Sequence, residues 1–189
     1  MTLKKLILLP FILAILLNCT SPAENPQEKE WRAINKYQEL MNAFENTRTS
    51  DDYPDYYCGA YINDQKDFVV LVKEGTDEAE ISRLINDSDV IIKTADYSYN
   101  ELKNLYDELN TKIDFLEKND PEMVSLIHDI TTFGIYDDEN RIIVTILDVN
   151  DQKIKQFKEK ISDSDAIVFD GGIYPVIPSS NGTMGMQKL

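Results

Sequence analysis

The residues able to do chemistry are few. The chain carries one histidine, His128, and two cysteines, Cys19 and Cys58. Nucleophilic catalysis needs a nucleophile, a base and an orienting group within hydrogen-bond reach. Cys58 is a nucleophile by residue type, and His128, beside Asp129, is the only imidazole that could activate it. Nothing in their spacing joins the two, and a lone histidine reads as a surface or partly packed residue. These counts exclude a four-ligand Cys/His zinc cluster. No Gly-rich phosphate loop and no His-Glu zinc motif is written in the chain. The acidic clusters offer a second chemistry. Asp137-Asp138-Glu139-Asn140, Asp87-Ser88-Asp89 and Asp163-Ser164-Asp165 carry oxygen ligands suited to calcium. They lack the twelve-residue spacing of an EF-hand loop, and Asp and Asn in such turns commonly serve backbone geometry. No carboxylate pair stands out for glycoside chemistry. The expectation is a protein with no catalytic residue, no metal and no cofactor. The ten tyrosines offer amphipathic surface for peptide or sugar, most of it at sheet edges.

Charge narrows the partners. There are 34 acidic and 19 basic residues, a formal net charge of −15. Nucleic-acid binding relies on basic patches that neutralise phosphate, so nucleic acid is not expected. Docking on anionic lipid by charge is disfavoured for the same reason. The excess of acid is read as solubility and mutual repulsion.

Cys19 has a different kind of chemistry. It follows Lys4-Lys5 and the apolar run Leu6–Leu17, the n-region and h-region of an export signal. The run is too short to span a bilayer, which takes about 20 apolar residues, and Pro10 interrupts it. The junction Leu16-Leu17-Asn18-Cys19 resembles the lipobox of bacterial lipoproteins, with Leu16 at the −3 position and Asn18 departing from the usual small residue at −1. The resemblance implies lipidation of Cys19, cleavage before it and attachment to the cell envelope, facing away from the cytoplasm. Several acyl chains anchor a protein stably. Loss of residues 1–18 would leave 17 basic against 34 acidic residues, a formal charge near −17. With Cys19 lipidated, Cys58 has no partner for an intramolecular disulfide.

Residues 19–28 form a polar, Pro-containing tether. Apolar residues at Trp31, Ile34, Tyr37, Met41 and Phe44 predict an amphipathic helix over 29–50. Downstream the chain repeats itself. The segment 59–74, GAYINDQKDFVVLVKE, resembles 133–148, FGIYDDENRIIVTILD, at an offset of 74. Each copy predicts two strands about an acidic turn. A helix follows (about 77–85 and 150–161), then Asp-Ser-Asp, then a third strand (90–92 and 166–168). At this offset Cys58 corresponds to Thr132, an ordinary strand position. Between the copies, Ser98 and Glu101 predict a capping box, and Leu102, Leu105, Leu109, Ile113 and Leu116 an apolar stripe. Asp120-Pro121-Glu122 predicts the start of another short helix, with Asp at the N-cap. An internal repeat outranks single-segment propensity. The expected fold is α+β, two ββαβ repeats forming antiparallel sheets packed on helices, after an N-terminal amphipathic helix. Residues 54–97 hold the first repeat, 98–128 the linking helices, 129–170 the second repeat, and 171–189 a flexible tail.

Tyr57-Cys58-Gly59-Ala60-Tyr61-Ile62, the strand Phe68–Val72, the helix entry Tyr97-Ser98-Tyr99-Asn100-Glu101-Leu102 and Gly134-Ile135-Tyr136-Asp137 through Ile146 are similar to the pro-domains of secreted bacterial chymotrypsin-like serine proteases of the alpha-lytic protease and streptogrisin type. The resemblance covers residues 54–170. It implies a non-enzymatic interaction module, since in that family the pro-domain is a folding template and inhibitor of its protease, with its C-terminal segment in the active-site cleft. The corresponding segment here is Ala166, Ile167, Val168, Phe169, Asp170, Gly171, Gly172, Ile173 and Tyr174. Sheet edges and this final strand would be the interaction surface, by strand addition. The tail, with Gly171-Gly172-Ile173 and Gly182-Thr183-Met184-Gly185, looks like the start of such a protease domain. With Leu189 taken as the end, a standalone lipoprotein or the remnant of a truncated pre-pro-protease is expected. The partners expected are the membrane, through lipid on Cys19, and a secreted serine protease that the module inhibits or helps to fold.

Overall fold

The computed structural model describes residues 25–47, 52–86 and 90–172. Cys19, Ile173 and Tyr174 lie outside them. Among the described residues no helix is long and apolar enough to cross a membrane. The first half contains α1 (Pro26–Thr47), β1 (Tyr57–Ile62), β2 (Phe68–Val72), α2 (Glu78–Leu84) and β3 (Ile91–Thr94). The second contains α3 (Tyr99–Asn119), α4 (Val124–Asp129), β4 (Ile130–Tyr136), β5 (Arg141–Leu147), α5 (Asp151–Lys160) and β6 (Ile167–Gly172). The fold is α+β, with two similar halves, each built on a three-stranded sheet.

The hairpins are antiparallel, β1 on β2 and β4 on β5. The third strands depart from the purely antiparallel expectation: β3 lies parallel to β2 and β6 parallel to β5. The reason is the helix before each. A helical crossover brings the chain back to the same end of the sheet, so the next strand runs in the same direction. Each crossover helix is capped by its own sequence. Asp77 accepts from the Ala79 N–H at 3.0 Å, and Asn150 from the N–H groups of Gln152 and Lys153, both at 3.1 Å.

The apolar faces meet in two cores. Ala33, Leu40 and Phe44 of α1 pack on Tyr57, Ala60, Phe68, Val70 and Val72, with Ile81 of α2 joining them. Trp31 is not part of this stripe; it is 58% exposed. It precedes Ala33 by two residues, about 200° of helix, and therefore faces away. In the second half Leu102, Leu109 and Leu116, one heptad apart on α3, pack with Ile142, Val144, Ile146, Phe157 and Ile167. Thus α3 belongs to the second core as α1 belongs to the first.

The capping box is formed. The Glu101 N–H donates to Ser98 Oγ at 3.2 Å, and the Ser98 N–H donates to Glu101 Oε2 at 2.6 Å. The helix predicted to start at Asp120 starts later. Asp120 closes α3 and residues 121–123 form a turn, in which the Asp120 carboxylate accepts from the Glu122 N–H at 3.1 Å. The Asp therefore caps a turn, and α4 begins only at Val124.

Strand register also revises the repeat. Ala60 pairs with Val70, and Phe133 pairs with Val144. The second strands are thus 74 positions apart but the first strands 73, because the second hairpin turn holds one residue more. Both first strands are bulged, between Tyr57 and Gly59 and between Ile130 and Thr132. The extra residues are Cys58 and Thr131, so the structural counterpart of Cys58 is Thr131, not Thr132.

Candidate functional site

The segment 166–172 is split by its register into an anchored side and an open side. Ala166 is 2% exposed, and its carbonyl accepts from the Ile142 N–H at 2.8 Å. Ile167 is buried opposite Ile142. Phe169 meets the Phe157 ring edge-on, with centroids 5.0 Å apart. These three side chains hold β6 to the core. Val168 and Asp170 alternate to the other face and are exposed, Val168 at 45%. There Val168 pairs with Ile143, which pairs in turn with Gly134. Asp170 pairs with Thr145, itself opposite Thr132.

The backbone of β6 has a free side. Its sheet order is β4-β5-β6, and β5 is the only described strand that pairs with it. The Ile142-to-Ala166 bond fixes the phase of the parallel ladder. Residues 166, 168, 170 and 172 bond to β5, whereas Phe169 and Gly171 turn their N–H and C=O groups to the open edge, where the Gly171 N–H donates to Asp170 Oδ1 at 2.8 Å. Strand groups with no neighbouring strand are a template for another chain.

The end of β6 needs glycine. A Cβ on Gly172 would come within 3.1 Å of Thr131 Oγ1, 3.2 Å of Thr145 Cγ2 and 3.3 Å of Leu147 Cδ2. The bulge at Thr131 aims its hydroxyl over β5, where it donates to the Thr145 carbonyl at 3.3 Å. Tight packing thus fixes Gly172 against the bulge of β4.

The residues considered for catalysis are placed apart from this edge. Cys58 is wholly buried, with Sγ 3.6 Å from the Tyr56 carbonyl. Burial pushes its thiol up to about 11, away from the thiolate that a nucleophile requires. His128 is exposed and lies 3.2 Å from Glu117 Oε1. Among the described residues no cluster of His, Cys, Asp or Glu could hold a metal ion.

The acidic turn between β4 and β5 has another role. Asn140, at φ 50°, is buried. Its side-chain amide donates to the carbonyls of Cys58 at 3.0 Å and Tyr97 at 2.8 Å, and its Oδ1 accepts from the Tyr97 N–H at 2.8 Å. Arg141 pairs with Asp96 at 2.8 Å and lies over the Tyr97 ring. The second half is bolted to the first through this turn. Sequence reasoning took these residues for turn formers. Asn at a left-handed position is the one local signal, and it does not say what the side chain reaches.

The family comparison divides the chain at the same joint. Residues 22–95 match the family model of the Pro-like N-terminal domain, and residues 100–172 that of the Pro-like C-terminal domain. The two halves and their shared sheet-and-helix plan are those of a pro-domain-like protein. The chain carries one Pro-like N-terminal and one Pro-like C-terminal domain in tandem. Among curated proteins none matches it.

Proposed function

We propose that this protein is a non-enzymatic, lipid-anchored protein of the bacterial cell envelope whose pro-domain-like module binds a partner chain along the open edge of β6. The observation that carries this reading is the open edge itself, on which no described strand pairs. Phe169 and Gly171 direct backbone groups there, the Gly171 N–H exchanging Asp170 Oδ1 for a partner carbonyl, while Ile167 and Phe169 keep the strand fixed from within. Strand addition draws affinity from main-chain bonds and specificity from alternate side chains, here Val168 and Asp170. The partner proposed is a secreted chymotrypsin-like serine protease, which the module inhibits or helps to fold in trans. The tandem Pro-like domains support that choice. The anchor proposed is lipid on Cys19.

Two experiments test the two parts. The full chain in detergent is titrated into such a protease and residual activity is followed. Loss of activity that saturates at one molecule per protease is expected, and full activity at micromolar concentration would exclude the inhibitor reading. In the cell, Cys19→Ala is expected to release the protein from membranes or block its processing. Unchanged membrane retention would count against lipidation.

A further inference from the structure

The joint between the halves contains a second acid whose surroundings differ from those of its neighbours. Asp137 begins the turn that Asn140 ends, and its side chain also enters the first half. Its Oδ2 accepts from the Ala60 N–H on the outer side of β1 at 3.3 Å. It packs against Gly59, at φ +129°, where an added Cβ would come within 3.1 Å of Asp137 Cγ and Oδ1. The titratable groups acting with it are Tyr37 from α1, Tyr57 from β1, Tyr99 from α3 and Asp138 from its own turn. The Asp137 charge raises the three phenols, Asp138 opposes its ionisation, and the Arg141 guanidinium of the same hairpin is given to Asp96. We propose that this turn is a proton-gated latch: a neutral Asp137 seats it against β1, and an ionised Asp137 loosens it.

Burial holds the Asp137 carboxyl above the ordinary carboxylate range. The Asp138 charge acts in the same direction, and the Ala60 N–H in the opposite one. When the turn opens, water returns the carboxyl toward its ordinary value. The closed joint therefore binds the proton more tightly. Closure is fully favoured below the ordinary value and weakens as pH rises through the raised one. The Asn140 amide bonds do not titrate, so the halves stay tethered while the contact slackens. A ligand that touches both halves would feel this change; one confined to β6 would not, which keeps the latch independent of the partner proposed above.

Hydrogen exchange on the full chain in detergent tests it. Protection of the Ala60 amide is measured against that of Val144 in the second sheet, across mildly acidic to neutral pH. In the wild-type chain the Ala60-to-Val144 protection ratio should fall as pH rises, by about tenfold for each unit by which closure raises the carboxyl. Asp137→Asn should flatten the profile, and Asp138→Asn should keep its sense. An equal pH dependence in wild type and Asp137→Asn would overturn the latch. So would an opening that spreads equally to Val144. Should Asp137→Asn not fold, the wild-type ratio alone decides: a ratio independent of pH overturns the proposal.

Discussion

The Asn140 side-chain amide donates to the Cys58 carbonyl at 3.0 Å, so the turn of one half is hydrogen-bonded to the bulge of the other. The same side chain satisfies both backbone groups of Tyr97. Asn140→Ala leaves these buried groups without partners, each at a cost of about 1–3 kcal/mol. The expected result is a lower urea midpoint with the slope unchanged. Asn140→Asp should also destabilise, because a carboxylate would face two carbonyls that need donors, and acid should relieve part of that loss.

Gly172 is fixed by the three side chains around it. Gly172→Val is expected to cost about 1–3 kcal/mol through overpacking against Thr131, Thr145 and Leu147. Thermal unfolding measures this, and Gly171→Ala is the comparison. A Cβ on Gly171 meets only Val149 Cγ1 at 3.5 Å, ordinary contact, so its effect should be far smaller.

Ser98 and Glu101 close the first turn of α3 reciprocally. Ser98→Ala should lose about 1 kcal/mol, read as a drop in the thermal midpoint. Leu109→Ala, in the buried heptad of the same helix, should lose about 2–5 kcal/mol.

The Cys58 thiol is raised from 9.0 to about 11, chiefly by burial. A raised acid group favours the folded state while protonated. Its contribution is therefore complete below pH about 9 and lost as pH climbs through about 11. At pH 8 an alkylating reagent should modify Cys58 only after denaturant is added. Rapid labelling of the native chain would contradict the buried placement.

Much of the fold was legible because patterns of sequence map directly onto faces and ends. The heptad leucines of α3 and the Ser98–Glu101 box needed nothing from the rest of the chain. The repeat was visible because its second strands, Phe68–Val72 and Arg141–Leu147, keep apolar side chains at matched positions. Its exact offset was not. One extra residue in the second turn and three more in α5 than in α2 shift the first and third strands by different amounts. Trp31 read as core because a large apolar residue outweighs Ala33 in any pattern, while the sheet set the helix's orientation through the smaller one. In the candidate site, the final strand was readable, but the outward placement of Val168 and Asp170 follows from a parallel register set by a crossover. The roles of Asp137 and Asn140 depend on contacts between residues some 80 positions apart, which local spacing does not encode.

The edge of β6 can be tested most directly with Gly171→Pro. Gly171 directs its N–H to the open edge, where only the exposed Asp170 carboxylate holds it, so proline there removes a donor that a partner strand would take over from Asp170 and spares the ladder to β5. A secreted chymotrypsin-like protease is titrated with the full wild-type chain and with this variant, both in detergent, after exchange protection of Val144 has shown that the sheet is intact. The wild-type chain is predicted to bind the protease stoichiometrically and the variant to bind up to about tenfold more weakly, the loss of one main-chain hydrogen bond. Equal binding by both chains, or no binding by the wild type at micromolar concentration, would contradict strand addition at this edge.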